Sequence, residues 1–123
     1  MISQQDIFDQ AVTHLRTQKA KSTRIVKFWK RDETESAYRG DDNRKCPGGI
    51  FIDDKEYDAK MEGVVFGSLL ALPSTPASLK KRHQAHAALI DELCFLHDWT
   101  DVEGWENELA AVAKAFKLTY SAP

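Results

Sequence analysis

The chain has no apolar run approaching the roughly 18 residues that a membrane span needs, and no basic-then-apolar leader pattern at its N-terminus. It is therefore expected to stay in the cytoplasm, away from membranes. It has two cysteines, Cys46 and Cys94, which that compartment keeps reduced. Glycine patterns for nucleotide phosphates are absent, because Cys46-Pro47-Gly48-Gly49 is neither a P-loop nor a dinucleotide fingerprint. No cysteine pair has finger-like spacing, and there is no internal repeat or low-complexity segment. At 123 residues, 42% apolar and 29% charged, the chain reads as one soluble globular domain spanning residues 1–123.

Charge is segregated although the net value is only −2. Gln10 to Arg31 carries seven Lys or Arg and no acid. Asp32 to Glu62 has ten acids against five bases, and Asp91 to Glu108 has seven acids and no base. Blocks of this kind create local fields that the net charge conceals. Their placement on one surface, or against a second copy of the chain, is open at this level.

Ser3 and Asp6 open a helix whose apolar stripe is Ile7, Phe8, Ala11, Val12 and Leu15, ending near Lys19 to Arg24. Ile25 to Trp29 reads as a strand, Arg31 to Ser36 as a loop, and Ala37 to Arg39 as a second short strand. Gly48-Gly49 permits a sharp turn or a close approach before a short strand, Ile50-Phe51-Ile52. Gly63 to Leu72 is apolar enough for a buried helical turn or two. Thr75 as N-cap with Pro76 at the first helical position predicts a long helix to His97. Leu79, Ile90, Leu93, Cys94 and His97 share its buried side. Thr100 and Glu103 have capping-box spacing before a last helix with Trp105, Leu109, Val112, Ala113 and Phe116 on one stripe. The tail, Ser121 to Pro123, is expected to fray. The fold class is α+β: an N-terminal helix, a small antiparallel sheet from Ile25 to Ile52, and a C-terminal antiparallel helical hairpin.

Cys46 lies between Arg44-Lys45 and two glycines, where positive charge favours a thiolate and exposed backbone N–H groups are able to hold an oxyanion or a phosphate; the structural alternative is a small strand-edge hydrophobe beside a glycine turn. His97 and Asp98 supply the residue types of a base and its orienting acid, although neighbours on a helix point about 100° apart. A histidine at a helix end and an aspartate starting a turn explain the same pair without catalysis. Glu62, flanked by Met61 and Gly63, is a fourth catalytic candidate. His83 and His86 are three apart, but Lys80, Lys81 and Arg82 on the same turn oppose a cation, and His97 lies about 16 Å further along the axis. No metal or cofactor is expected. Arg24, Lys27, Trp29, Lys30 and Arg31 form the nucleic-acid candidate, with basic residues for phosphate and an exposed Trp29 to stack a base. The alternative is that the aromatics face the core and the lysines solvate a strand edge.

The succession Tyr38-Arg39-Gly40, Cys46-x-x-Gly49-x-Phe51-Ile52-x-Asp54-x-x-Tyr57 and Met61-Glu62-Gly63, with Leu93, His97, Asp98 and Trp105 downstream, resembles a family of small uncharacterised phage and bacterial proteins. A second cysteine often follows the glycine in that family, and Ile50 stands in its place here. The resemblance implies a phage or prophage setting and no reaction. The leading expectation is a non-enzymatic accessory protein that binds a macromolecular partner, most naturally a host or phage protein, in the host cytoplasm. A small thiol-dependent enzyme with Cys46 as nucleophile and His97 as base is the alternative, and nucleic-acid binding through Lys27 to Arg31 is the third.

Overall fold

A computed structural model describes residues 2–123. Helix α1 (Gln4–Gln18) starts in a capping box, in which the Ser3 hydroxyl accepts from the Asp6 N–H and the Asp6 carboxylate accepts from the Ser3 N–H, each at 3.0 Å. It ends at Lys19 in the left-handed region, whose N–H donates to the Leu15 carbonyl. The five stripe residues are all buried. Strands β1 (Thr23–Phe28) and β2 (Arg31–Ser36) form an antiparallel two-stranded hairpin, with Thr23 opposite Ser36 and Phe28 opposite Arg31. After β2 comes an irregular segment, residues 37–65, with three short 3₁₀ turns, and then four helices: α2 (Phe66–Ala71), α3 (Ala77–His83), α4 (Ala87–Trp99) and α5 (Trp105–Ala115).

Helix α4 is the centre of the core, with Leu89, Ile90 and Leu93 fully buried, and it packs against α1, α2 and α5. The α+β architecture is as expected, with an N-terminal helix, a small antiparallel sheet and C-terminal helices.

Several local expectations are corrected. Arg31 to Ser36 is a strand rather than a loop, because its acids pair across the hairpin: Asp32 with Lys27 at 2.6 Å and Glu35 with Arg24 at 2.6 Å. The sheet stops there. Ala37 to Arg39 is outside it, and Gly49–Phe51 is a 3₁₀ turn. The Gly49, Phe51 and Ile52 carbonyls are taken by arginines instead of a neighbouring strand: Arg39 donates to Gly49 at 2.8 Å and to Ile52 at 2.6 Å, and Arg82 donates to Phe51 at 3.1 Å. The glycines serve close approach, since a Cβ on Gly49 would lie 2.3 Å from the Tyr38 carbonyl oxygen.

The long helix expected from Pro76 is broken by a 3₁₀ turn over Gln84–His86, which nothing in the residue types marks. Thr75 does not cap α3; its hydroxyl donates to the Leu69 carbonyl at 2.6 Å. The Thr100–Glu103 box does not form either, because α5 starts later, at Trp105, whose indole N–H donates to the Thr100 carbonyl. The C-terminal end is tied down as far as Ser121, where Thr119 exchanges two hydrogen bonds with the Gln5 amide and Arg16 donates to the Ser121 carbonyl. No helix among the described residues is long and apolar enough to cross a membrane.

Candidate functional site

The central stretch is organised by Glu62. Its carboxylate accepts from the backbone N–H groups of Tyr38 (2.8 Å) and Arg39 (3.0 Å) and from the Tyr57 hydroxyl (2.6 Å). It thereby replaces the strand that would otherwise pair with residues 38 and 39. Burial, reinforced by the Glu62 carboxylate, pushes the Tyr57 phenol up to about 12. The Arg39 guanidinium lies 4.8 Å from the Tyr57 ring centroid. With three donors on its two oxygens, Glu62 serves as a structural acceptor that ties residues 38, 39 and 57 together.

His97 and Asp98 form a second fixed unit. His97 is fully buried and stacked on Trp105, with centroids 5.5 Å apart. Its Nε2 accepts from the Ser22 N–H at 3.0 Å, which assigns the ring proton to Nδ1, and Nδ1 donates to Asp98 Oδ1 at 2.6 Å. Asp98 therefore does orient His97, contrary to the helix-angle argument. The Ser36 hydroxyl holds the same carboxylate oxygen at 2.6 Å, so all three groups converge at the end of α4. Both nitrogens of His97 are engaged, and no lone pair remains to take a proton from Cys46.

The pair instead secures the hairpin. Ser22 precedes β1 and Ser36 ends β2, so both strands are anchored to α4 through adjacent side chains. The Ser22 hydroxyl closes the root by donating to the Ala37 carbonyl at 2.7 Å.

Three of the four catalytic candidates, Cys46, Glu62 and Asp98, line one pocket of about 220 Å³, and His97 does not. Residues not anticipated there are Ser36, Tyr38, Phe95 and above all Cys94, whose thiol meets that of Cys46. Contact with Cys46, followed by burial and the charge of Asp98, pushes the Cys94 thiol well above its ordinary range. Both cysteines are unpaired. The cysteine count was the only signal in the sequence that could have joined them, because the turn at Gly48-Gly49 and the packing of α4 create the contact. Among the described residues no group of three or more His, Cys, Asp and Glu side chains is arranged to hold a metal ion.

The hairpin presents a different surface. Trp29 and Lys30 form its two-residue turn, and Trp29 is 90% exposed with φ 60°. A bulky residue at positive φ is strained. Phe28 and Ile25 are also exposed, and among the described residues no further strand pairs with either edge. Phe95 and Trp99, four residues apart on one side of α4, add exposed apolar surface, with Phe95 at the pocket that the hairpin root also lines.

The nucleic-acid candidates converge on this hairpin, but their charge is largely cancelled. Arg24 pairs with Glu35, Lys27 with Asp32, and Arg31 with Glu33 at 2.8 Å. Among the described residues Lys30 makes no ion pair, so the basic block does not present a continuous phosphate-binding stripe. The basic and acidic segments also meet elsewhere, where Arg16 of α1 donates to Glu106 of α5 at 2.7 Å and holds that carboxyl below its ordinary range.

No known protein-family model, curated protein or solved structure matches this chain.

Proposed function

We propose that this protein is a small accessory protein that acts by binding a protein partner in the cytoplasm, with the hairpin of residues 23–36 as its docking element. The observation that carries this reading is Trp29, almost fully exposed and held at positive φ on the tip of an otherwise uncovered hairpin. A two-residue hairpin turn requires a positive φ at its first position, which glycine adopts without strain, so a tryptophan kept there is accounted for by recognition. Tryptophan is also the residue type most enriched among binding hot spots. A protein is favoured over nucleic acid because cross-strand acids neutralise three of the hairpin's bases.

A photo-crosslinking amino acid at position 29, with one at exposed Glu108 on α5 as control, tests this in cells. A discrete protein adduct from position 29 that is absent from position 108 is the expected result. Adducts only to nucleic acid, or none above the control, would overturn it.

A further inference from the structure

The two cysteines lie far apart in the chain, on the loop after the hairpin and on α4, yet both line one pocket. Gly48 makes the approach tight: a Cβ there would lie 2.9 Å from Cys94 Sγ and 2.9 Å from a ring carbon of Tyr38. Cys46 is 3% exposed, and the pocket is the route by which a small molecule reaches it. Glu35, Glu62 and Asp98 also line the pocket, so anionic reagents are disfavoured there and small neutral oxidants are admitted.

From the placement of Cys46 and Cys94 together at this pocket, we propose that the pair is a hydroperoxide-responsive dithiol that closes to an intramolecular disulfide. Cys46, which follows Arg44 and Lys45 in the chain and lines the pocket beside Cys94, is the thiol that reacts first. The Cys46 sulfur, having lost its proton to solvent, attacks one peroxide oxygen. The O–O bond breaks, and the other oxygen leaves and is protonated to water or alcohol, giving a sulfenic acid. The Cys94 sulfur then attacks the Cys46 sulfur; the S–S bond forms, the S–O bond breaks, and the hydroxide leaves as water with the Cys94 proton. Two thiols are oxidised by two electrons and one hydroperoxide is reduced. The bond ties the Tyr38–Gly49 loop to α4, the helix that already holds the hairpin root through His97 and Asp98. A cytoplasmic dithiol reductant reverses it.

The test uses the reduced full-length chain and hydrogen peroxide. Intact mass is expected to fall by about 2 Da, with a linked Cys46–Cys94 peptide, monomeric migration without reductant, and full reversal by dithiothreitol. Closure is expected to run at least about tenfold faster in the native protein than in strong urea, because the fold supplies the proximity. The thermal midpoint is expected to rise by about 5 °C or more. In C94S, a 1,3-dione probe is expected to trap a sulfenic acid on Cys46. Should that variant not fold, the wild-type mass and rate comparison decides alone. Two persistently free thiols, oxidation to sulfinic acid without a crosslink, dimers linked between chains, or equal rates with and without urea would each overturn the proposal.

Discussion

Replacing Trp29 with glycine separates the cost of the hairpin tip from its use. An L-residue held in the left-handed region costs about 1–2 kcal/mol relative to its preferred conformations, and glycine does not incur that cost. Glycine also widens the unfolded ensemble, which takes back about 0.4–1 kcal/mol. Trp29 is 90% exposed, so almost no burial is forfeited. The balance favours W29G by about 0.5–1 kcal/mol, localised to β1 and β2. Global unfolding is a poor gauge, because a two-stranded hairpin with uncovered edges opens below the global transition. Native-state amide exchange reads the effect directly, with the core amides of α4 as internal reference. Hairpin amides are expected to exchange about two- to fivefold more slowly in W29G, while those of α4 are unchanged. Binding to the crosslinked partner is expected to weaken by roughly 30-fold or more, the loss of one aromatic hot spot. Faster hairpin exchange would mean that Trp29 packs within the fold, and unchanged affinity would mean that the tip is not the docking point; either result refutes the reasoning.

Acid should destabilise the protein in two steps. Burial lowers the His83 pKa from about 6.5 to about 4, so the unfolded chain takes up this proton first; the stability is whole above about pH 6.5 and declines as pH falls to about 4, by at most about 3 kcal/mol. Hydrogen bonds from Arg82, then Ser78 and the Asp53 backbone, hold Glu56 at about 2 against burial, so its contribution is whole above about pH 4.5 and fades toward pH 2. Arg82 is partly exposed, and screening limits that second step to about 1–2 kcal/mol. Urea midpoints against pH are expected to flatten between 6.5 and 4 in H83F while the lower step stays. D98A strands the Ser36 hydroxyl and His97 Nδ1, at about 2–3 kcal/mol with faster hairpin exchange, whereas D98N keeps an acceptor oxygen and is expected to cost under about 1 kcal/mol. E62Q leaves two acceptor sites among three donors and turns an amide toward one of them; a loss of about 2–3 kcal/mol in chemical denaturation is expected.

What could be read from the sequence was what depends on neighbours in the chain. Ser3, Asp6 and the stripe from Ile7 to Leu15 carry α1 entirely in local signals, and the last helix shows the same 3.6-residue period. Segment 31–36 failed because almost nothing in Arg-Asp-Glu-Thr-Glu-Ser favours a strand by itself; it becomes one through acids that meet the bases of β1 across the turn. Ile50-Phe51-Ile52 failed in the opposite direction. Its residues suit a strand, but guanidinium groups from Arg39 and Arg82 take its carbonyls and leave no ladder to join.

The same distinction explains the site. Cys46, His97 and Asp98 were recognisable as reactive residue types, but type does not determine which partner occupies each lone pair. Ser22 and Ser36 carry no motif, and they are what converts a His–Asp pair from an available base into an anchor for the hairpin. With that pair committed to structure, Cys46 has no base and shares its pocket with a second thiol. A base and its acid would have favoured nucleophilic attack at neutral pH, whereas a second thiol favours oxidation by two electrons. The chemistry left to Cys46 is therefore set by Cys94, through a contact that depends on how α4 packs rather than on any spacing in the chain.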